Sequence, residues 1–127
     1  MENKDYLIDT NIAIFYFGLA LSQESESFID ELIKDTYYLS VINRIELLGF
    51  KGLSQKESMA FESFIKKSVV VNLDEDIIIE TIRLRKEYPV KLPDALIAAT
   101  CLVNNLTLIS NNTKDFEKIK ELRLHRV

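Results

Sequence analysis

The sequence predicts an α/β fold, a mainly parallel sheet of about five short strands with helices on both faces. Three observations predict it. Short strand-like runs alternate with longer stretches of helical periodicity, the order expected of βαβ units. Several of the runs are apolar at almost every position, as in strands covered on both faces. The stretch 94–104, DALIAATCLVN, is apolar almost all round, which marks a central buried helix.

The elements follow in order. A strand is expected at 6–8 and a helix over 12–21, with Asp9, Thr10 and Asn11 between them. A second helix over 25–34 sets Phe28, Ile29, Leu32 and Ile33 on one face. A strand at 37–40 leads into SVINRIELLGF, 40–50. On a helical wheel Val41, Ile42, Ile45, Leu48 and Phe50 form one broad apolar arc there. Glu46 falls inside the arc, while Asn43 and Arg44 point elsewhere. Met59, Phe61, Phe64 and Ile65 stripe a helix after Ser54. A strand at 69–73 precedes a helix from near Asp74, on which Ile78, Ile82 and Arg85 share a face. Strands at 106–109 and 122–125 flank a short helix at 116–119.

The 127 residues point to one domain, 1–127. A chain of this size buries about two-thirds of its unfolded surface and needs no metal or disulfide to fold. Cys101 is the only cysteine; no intrachain disulfide forms, and a buried, inert thiol is expected. The amino terminus lacks a basic region followed by a clean apolar core, so no signal peptide is expected. No run approaches the roughly 18 apolar residues of a membrane span, and the chain reads as cytoplasmic. The net charge of −4 excludes a protein that grips nucleic acid mainly by charge, not an enzyme with a local site for it. It leaves room for a basic partner.

In open parallel sheets ligands bind beyond the carboxyl ends of the strands, and acids fall there. Asp9 directly follows the first strand. Helix capping accounts for it, and a ligand site at the same point fits as well. A charged Glu46 on a buried face needs a Lys or Arg from another element, or a metal. Asp94 follows Pro93 at the start of the most apolar helix, where capping again suffices locally. Asp115 ends a polar run in which Ser110, Asn111, Asn112 and Thr113 offer neutral oxygens. If these acids converge, each pair about 4 Å apart repels by about 4 kcal/mol at an effective dielectric of 20, and a divalent cation cancels that. All-oxygen ligands favour Mg²⁺ or Mn²⁺. One His, His125, and one Cys make a typical zinc site untenable. No Gly-rich phosphate loop is present, and nothing sets His125 beside a nucleophile.

YLIDTNIAIFYF, SVINRIELLGF, LPDALIAAT and LTLISNNTKDFEKI resemble, in order and spacing, the four motifs of the PIN-domain family, in particular the VapC-like toxins of type II toxin–antitoxin systems. The resemblance spans nearly the whole chain. It implies a PIN-like three-layer α/β/α sandwich and a Mg²⁺- or Mn²⁺-dependent endoribonuclease held inactive by a cognate antitoxin. It also implies a homodimer and an RNA substrate cut to a 5′-phosphate and a 3′-hydroxyl. Carried over by position, Asp9, Glu46 and Asp94 are the core acids, and Asp9 and Asp94 the direct metal ligands. Many relatives carry an Asp where Thr113 stands, so Asp115 or Asn112 takes the fourth position. Thr10 and Asn11 orient the site through hydrogen bonds. Arg44, Lys51, Lys91 and Lys114 flank the motifs as candidate RNA contacts. The face Phe28, Ile29, Leu32, Ile33 either packs inside or lines a groove for an antitoxin helix. A processing or structure-specific nuclease without an antitoxin, and a non-catalytic PIN-like binding module, are the alternatives.

Overall fold

A computed structural model describes residues 4–127; residues 1–3, part of the stretch in which no signal peptide is expected, lie outside the described residues. Five strands form one parallel sheet in the order β3-β2-β1-β4-β5. They are β1 (Tyr6–Ile8), β2 (Tyr38–Ser40), β3 (Val69–Val71), β4 (Thr107–Ser110) and β5 (Leu124–Arg126). Seven helices accompany them: α1 (Thr10–Phe17), α2 (Gln23–Leu32), α3 (Val41–Leu48), α4 (Gln55–Lys67), α5 (Glu75–Glu87), α6 (Leu92–Asn104) and α7 (Thr113–Phe116). This is the expected α/β/α sandwich.

Successive strand residues face opposite sides of a sheet, and the two cores follow from that. Leu7 and Leu108 join Ile77, Leu84, Ala95, Ile97, Ala98 and Phe116 in a core on the α5–α6 side. Ile8, Leu39 and Ile109 join Ile12, Ile29, Leu47, Phe61 and Phe64 on the α1–α2–α4 side. β4 is buried at all four positions, as an inner strand covered on both faces must be. β3 and β5, at the edges, are partly exposed. α6 buries Ala95 and the run Ile97, Ala98, Ala99, Thr100, Cys101, in keeping with its apolar sequence. Asn105 ends it in the left-handed conformation (φ 56°), which Asn adopts more readily than most residues. Cys101 is fully buried, and burial pushes its thiol well above the ordinary range.

Several local expectations are corrected. α1 begins at Thr10 and stops at Phe17, because Asp9 caps its start and Gly18 its end. α7 forms at Thr113–Phe116, earlier than the expected 116–119. On α5 the buried residues are Ile77, Thr81 and Leu84, while Ile78 and Ile82 face outward. Met59 is exposed beside the buried Phe61, Phe64 and Ile65. Ile29 is buried and Phe28, Leu32 and Ile33 pack against the same core, so the α2 face packs inside.

The largest correction concerns α3. Its inward residues are Asn43 and Leu47; Ile45 and Phe50 are 62% and 52% exposed, and Glu46 is exposed. Of the apolar arc of the helical wheel, Ile45, Leu48 and Phe50 turn outward, while Val41 and Ile42 are half-buried and Ile42 packs against the α5–α6 core. Both α1 and α6 pack against α3, and these neighbours, not composition, choose its inner face. Of the two inward side chains, one is the polar Asn43.

Candidate active site

The polar centre of the molecule lies at the carboxyl ends of the three inner strands. β1 ends into Asp9, β2 ends at Ser40 and β4 ends at Ser110. Asp9 is 6% exposed. One carboxylate oxygen accepts from the Thr10 backbone N–H at 2.9 Å and the other from the Ser110 hydroxyl at 2.8 Å. Its own N–H donates to the Ile109 carbonyl at 3.0 Å, which anchors it to the sheet. Capping and a ligand site therefore share one residue.

Glu46 is reached from the same turn. The Thr10 hydroxyl donates to Glu46 Oε1 at 2.7 Å, and Thr10 Oγ1 accepts from Asn43 Nδ2 at 2.9 Å. Asn43 also closes a capping box with Ser40, whose N–H donates to Asn43 Oδ1 at 2.8 Å while Asn43 N–H donates to Ser40 Oγ at 3.1 Å. Asp94 sits in the first turn of α6, behind Pro93. Asp115 is on α7, half-exposed and 3.7 Å from Lys118. The Asn112 side chain makes no capping bond; its backbone N–H donates to Ser110 Oγ at 2.9 Å. Asn11 is exposed and takes no part in this network.

Electrostatics tie the acids together. Burial pushes Asp9 up to about 6; the bonds from Ser110 and Thr10 pull against that rise, and the charges of Asp94 and Glu46 add to it. Asp94 is raised by burial and by the charges of Asp115 and Glu46, with Lys91 opposing. Among the described residues, no Lys or Arg forms an ion pair with Asp9, Glu46 or Asp94. Nor are any three His, Cys, Asp or Glu gathered into a ready-made cage for one ion. The residues fit a hard divalent cation by donor type and charge: a buried carboxylate with no ion pair among the described residues, under the field of two further carboxylates. His125 stands apart, its ring stacked on Phe28 at 4.4 Å and edge-on to Tyr6.

Asn43 and Ser110 carry the site's hydrogen bonds. The pairing S-x-x-N in SVIN is a capping-box pattern, a signal that could have marked Asn43 for the helix start. Its second bond, to Thr10, has no sequence signal.

A parallel sheet whose inner strands end at a buried Asp, with further acids from two helices acting on it, defines a class of acidic-site α/β/α domain. The chain belongs to the PIN domain family, whose profile matches residues 6–122. It is 30% identical to "Ribonuclease VapC1" of Methanocaldococcus jannaschii over 97% of this chain and 87% of the relative. It is 28% identical to "tRNA(fMet)-specific endonuclease VapC" of Salmonella typhimurium over 94% and 95% of the two chains. A chain in a solved toxin–antitoxin complex from Klebsiella pneumoniae superposes with a TM-score of 0.77 at 32% identity, covering 93% of this chain and 95% of that one.

Proposed function

We propose that this chain is a Mg²⁺- or Mn²⁺-dependent endoribonuclease and the toxin of a type II toxin–antitoxin pair. The observation that carries the reading is Asp9: a buried carboxylate with no cationic partner among the described residues, held between Thr10 and Ser110 and repelled by Asp94 and Glu46. Family membership and relatives named as ribonuclease, endonuclease and toxin–antitoxin complex support it.

Asp9 and Asp94 are the proposed ligands of the cation, with Asp115 acting on Asp94 from outside. When bound, the cation supplies positive charge toward a phosphate oxygen and acidifies water. Glu46, with Oε1 held by Thr10, offers its other oxygen to help hold the cation or to accept a hydrogen bond from the attacking water. Water adds to phosphorus and loses a proton to solvent, the bond to the 3′ oxygen breaks, and that oxygen takes up a proton from solvent to leave as the 3′-hydroxyl while the phosphate stays on the 5′ side. Lys91, whose charge reaches Asp94, is the proposed cationic contact for the RNA backbone. The reading is tested by inducible expression with sequencing of RNA ends. Growth arrest with new 5′-phosphate ends is the expected result; the absence of both overturns it.

A groove of about 470 Å³ runs between α1 and α4, lined by Ile14, Phe17, Phe50, Leu53, Ala60 and Phe61. Phe17 and Phe50 are 38% and 52% exposed there. This is the seat we assign to the apolar face of an antitoxin helix, whose basic flank the net charge of −4 would favour. A Phe17→Asp variant is expected to cleave RNA yet lose at least about 10-fold in affinity for the antitoxin, since a hot-spot apolar anchor in such a groove is worth about 2 kcal/mol or more. Unchanged affinity in calorimetry overturns the assignment.

A further inference from the structure

We propose that Asn43 is a positioning residue for Glu46, acting through the Thr10 hydroxyl; the inference rests on the function proposed above. Asn43 is fully buried, and its side chain joins two segments. A backbone N–H can only donate, so the Ser40 N–H, 2.8 Å away, fixes Oδ1 as the end of the amide that faces it. The other end, Nδ2, then faces Thr10 and donates to its hydroxyl oxygen at 2.9 Å. That hydroxyl has a single proton. Because Asn43 occupies its acceptor side, the proton is directed to Glu46 Oε1 at 2.7 Å. The polarity of the whole relay is thus set by the backbone of Ser40.

Glu46 lies on the exposed side of α3, where a Glu side chain held by nothing samples many rotamers. The bond from Thr10 selects one and leaves Oε2 outside the network. Helix capping does not explain the arrangement, because the capping box is complete without the bond to Thr10. Asp9 is served in the same sense: the Asn112 N–H donates to Ser110 Oγ, and the Ser110 hydroxyl donates to Asp9 Oδ2. Both relays start at a backbone N–H, that of Asn112 for Asp9 and that of Ser40 for Glu46, and the one to Glu46 is cut by substituting Asn43.

Asn43→Leu keeps the bulk and removes both polar ends; Asn43→Ala is a second variant. Thr10→Val removes the hydroxyl and Thr10→Ser keeps it. Each variant except Thr10→Ser is expected to lower kcat for RNA cleavage about 10-fold and to weaken Mn²⁺ binding in calorimetry by up to about 10-fold. KM for RNA should barely change, and Thr10→Ser should behave as wild type. In a Glu46→Gln background none of these substitutions should reduce kcat further. A lowered melting temperature with kcat and Mn²⁺ affinity intact marks a capping role only and overturns the assignment, as does an equal loss in the Glu46→Gln background. If neither Asn43 variant folds, an unchanged kcat in Thr10→Val overturns it. A wild-type protein that neither binds Mn²⁺ nor cleaves RNA overturns the functional reading and this assignment together. Active wild type, impaired Glu46→Gln and fully active Asn43 variants overturn this assignment alone.

Discussion

Asp9→Asn is expected to reduce RNA cleavage by about 100-fold or more, the scale seen when one essential electrostatic contact to a transition state is lost, while making the metal-free protein more stable at neutral pH. The two effects share a cause. Asn keeps an oxygen for the Thr10 N–H and removes the charge that burial penalises, at the loss of the bond donated by the Ser110 hydroxyl. Burial raises Asp9 from 3.8 to about 6, so the folded chain holds that proton more tightly than the unfolded chain. Below about 3.8 both states are protonated and the fold carries no penalty. Between the two values the unfolded state releases its proton first, and stability falls as pH rises. Above about 6 both are ionised and the penalty is complete, up to about 3 kcal/mol for a rise of this size. Denaturation in EDTA should therefore find the variant more stable than wild type at pH 7.5, with the gap closing towards pH 4. A gap that ignores pH, or a folded variant that still cleaves, refutes the role given to Asp9.

Chelation is expected to silence the enzyme completely, and Mg²⁺ or Mn²⁺ to restore it. The same ions should raise the melting temperature of wild type at pH 7.5, because a ligand bound only to the folded state at 100 times its Kd adds about 2.7 kcal/mol. Asp9→Asn should lose most of that rise. Acidification below about 6 should erode it in wild type as well, since a protonated Asp9 cannot serve as a ligand. Cleavage that persists in excess EDTA, or an equal Mn²⁺ response in wild type and variant, would remove the metal from the reaction. Zinc is a poor substitute on chemical grounds: Cys101 is fully buried and the His125 ring is stacked on Phe28, leaving an all-oxygen site.

Asp9 and Asp94 were legible because each sits where strand gives way to helix or where a Pro opens one, and such boundaries are local events. On a helical wheel Glu46 falls inside an apolar arc, yet Glu46 and the arc residues Ile45, Leu48 and Phe50 are exposed. The family motif points to Glu46 as well, and the structure ties it to Thr10 by a hydrogen bond rather than by burial. A wheel ranks faces by composition, but α1 and α6 decide which face of α3 turns inward. The same error set Asn43 aside, although it is fully buried at the site.

Apolar strands at regular intervals, helical periodicity between them and a nearly all-apolar α6 were enough to dictate the layered parallel fold, since each depends on residues within a few positions of one another. The joining of the acids depends on contacts that no local pattern encodes. Ser110 reaches Asp9 across 101 positions, Thr10 reaches Glu46 across 36 and Asn43 reaches Thr10 across 33. Only the packing of β2, β1 and β4 side by side brings their ends, and the helices they launch, within hydrogen-bonding distance. Burial there, not sequence, lifts the Asp9 carboxyl towards neutrality and makes a capping residue a candidate ligand.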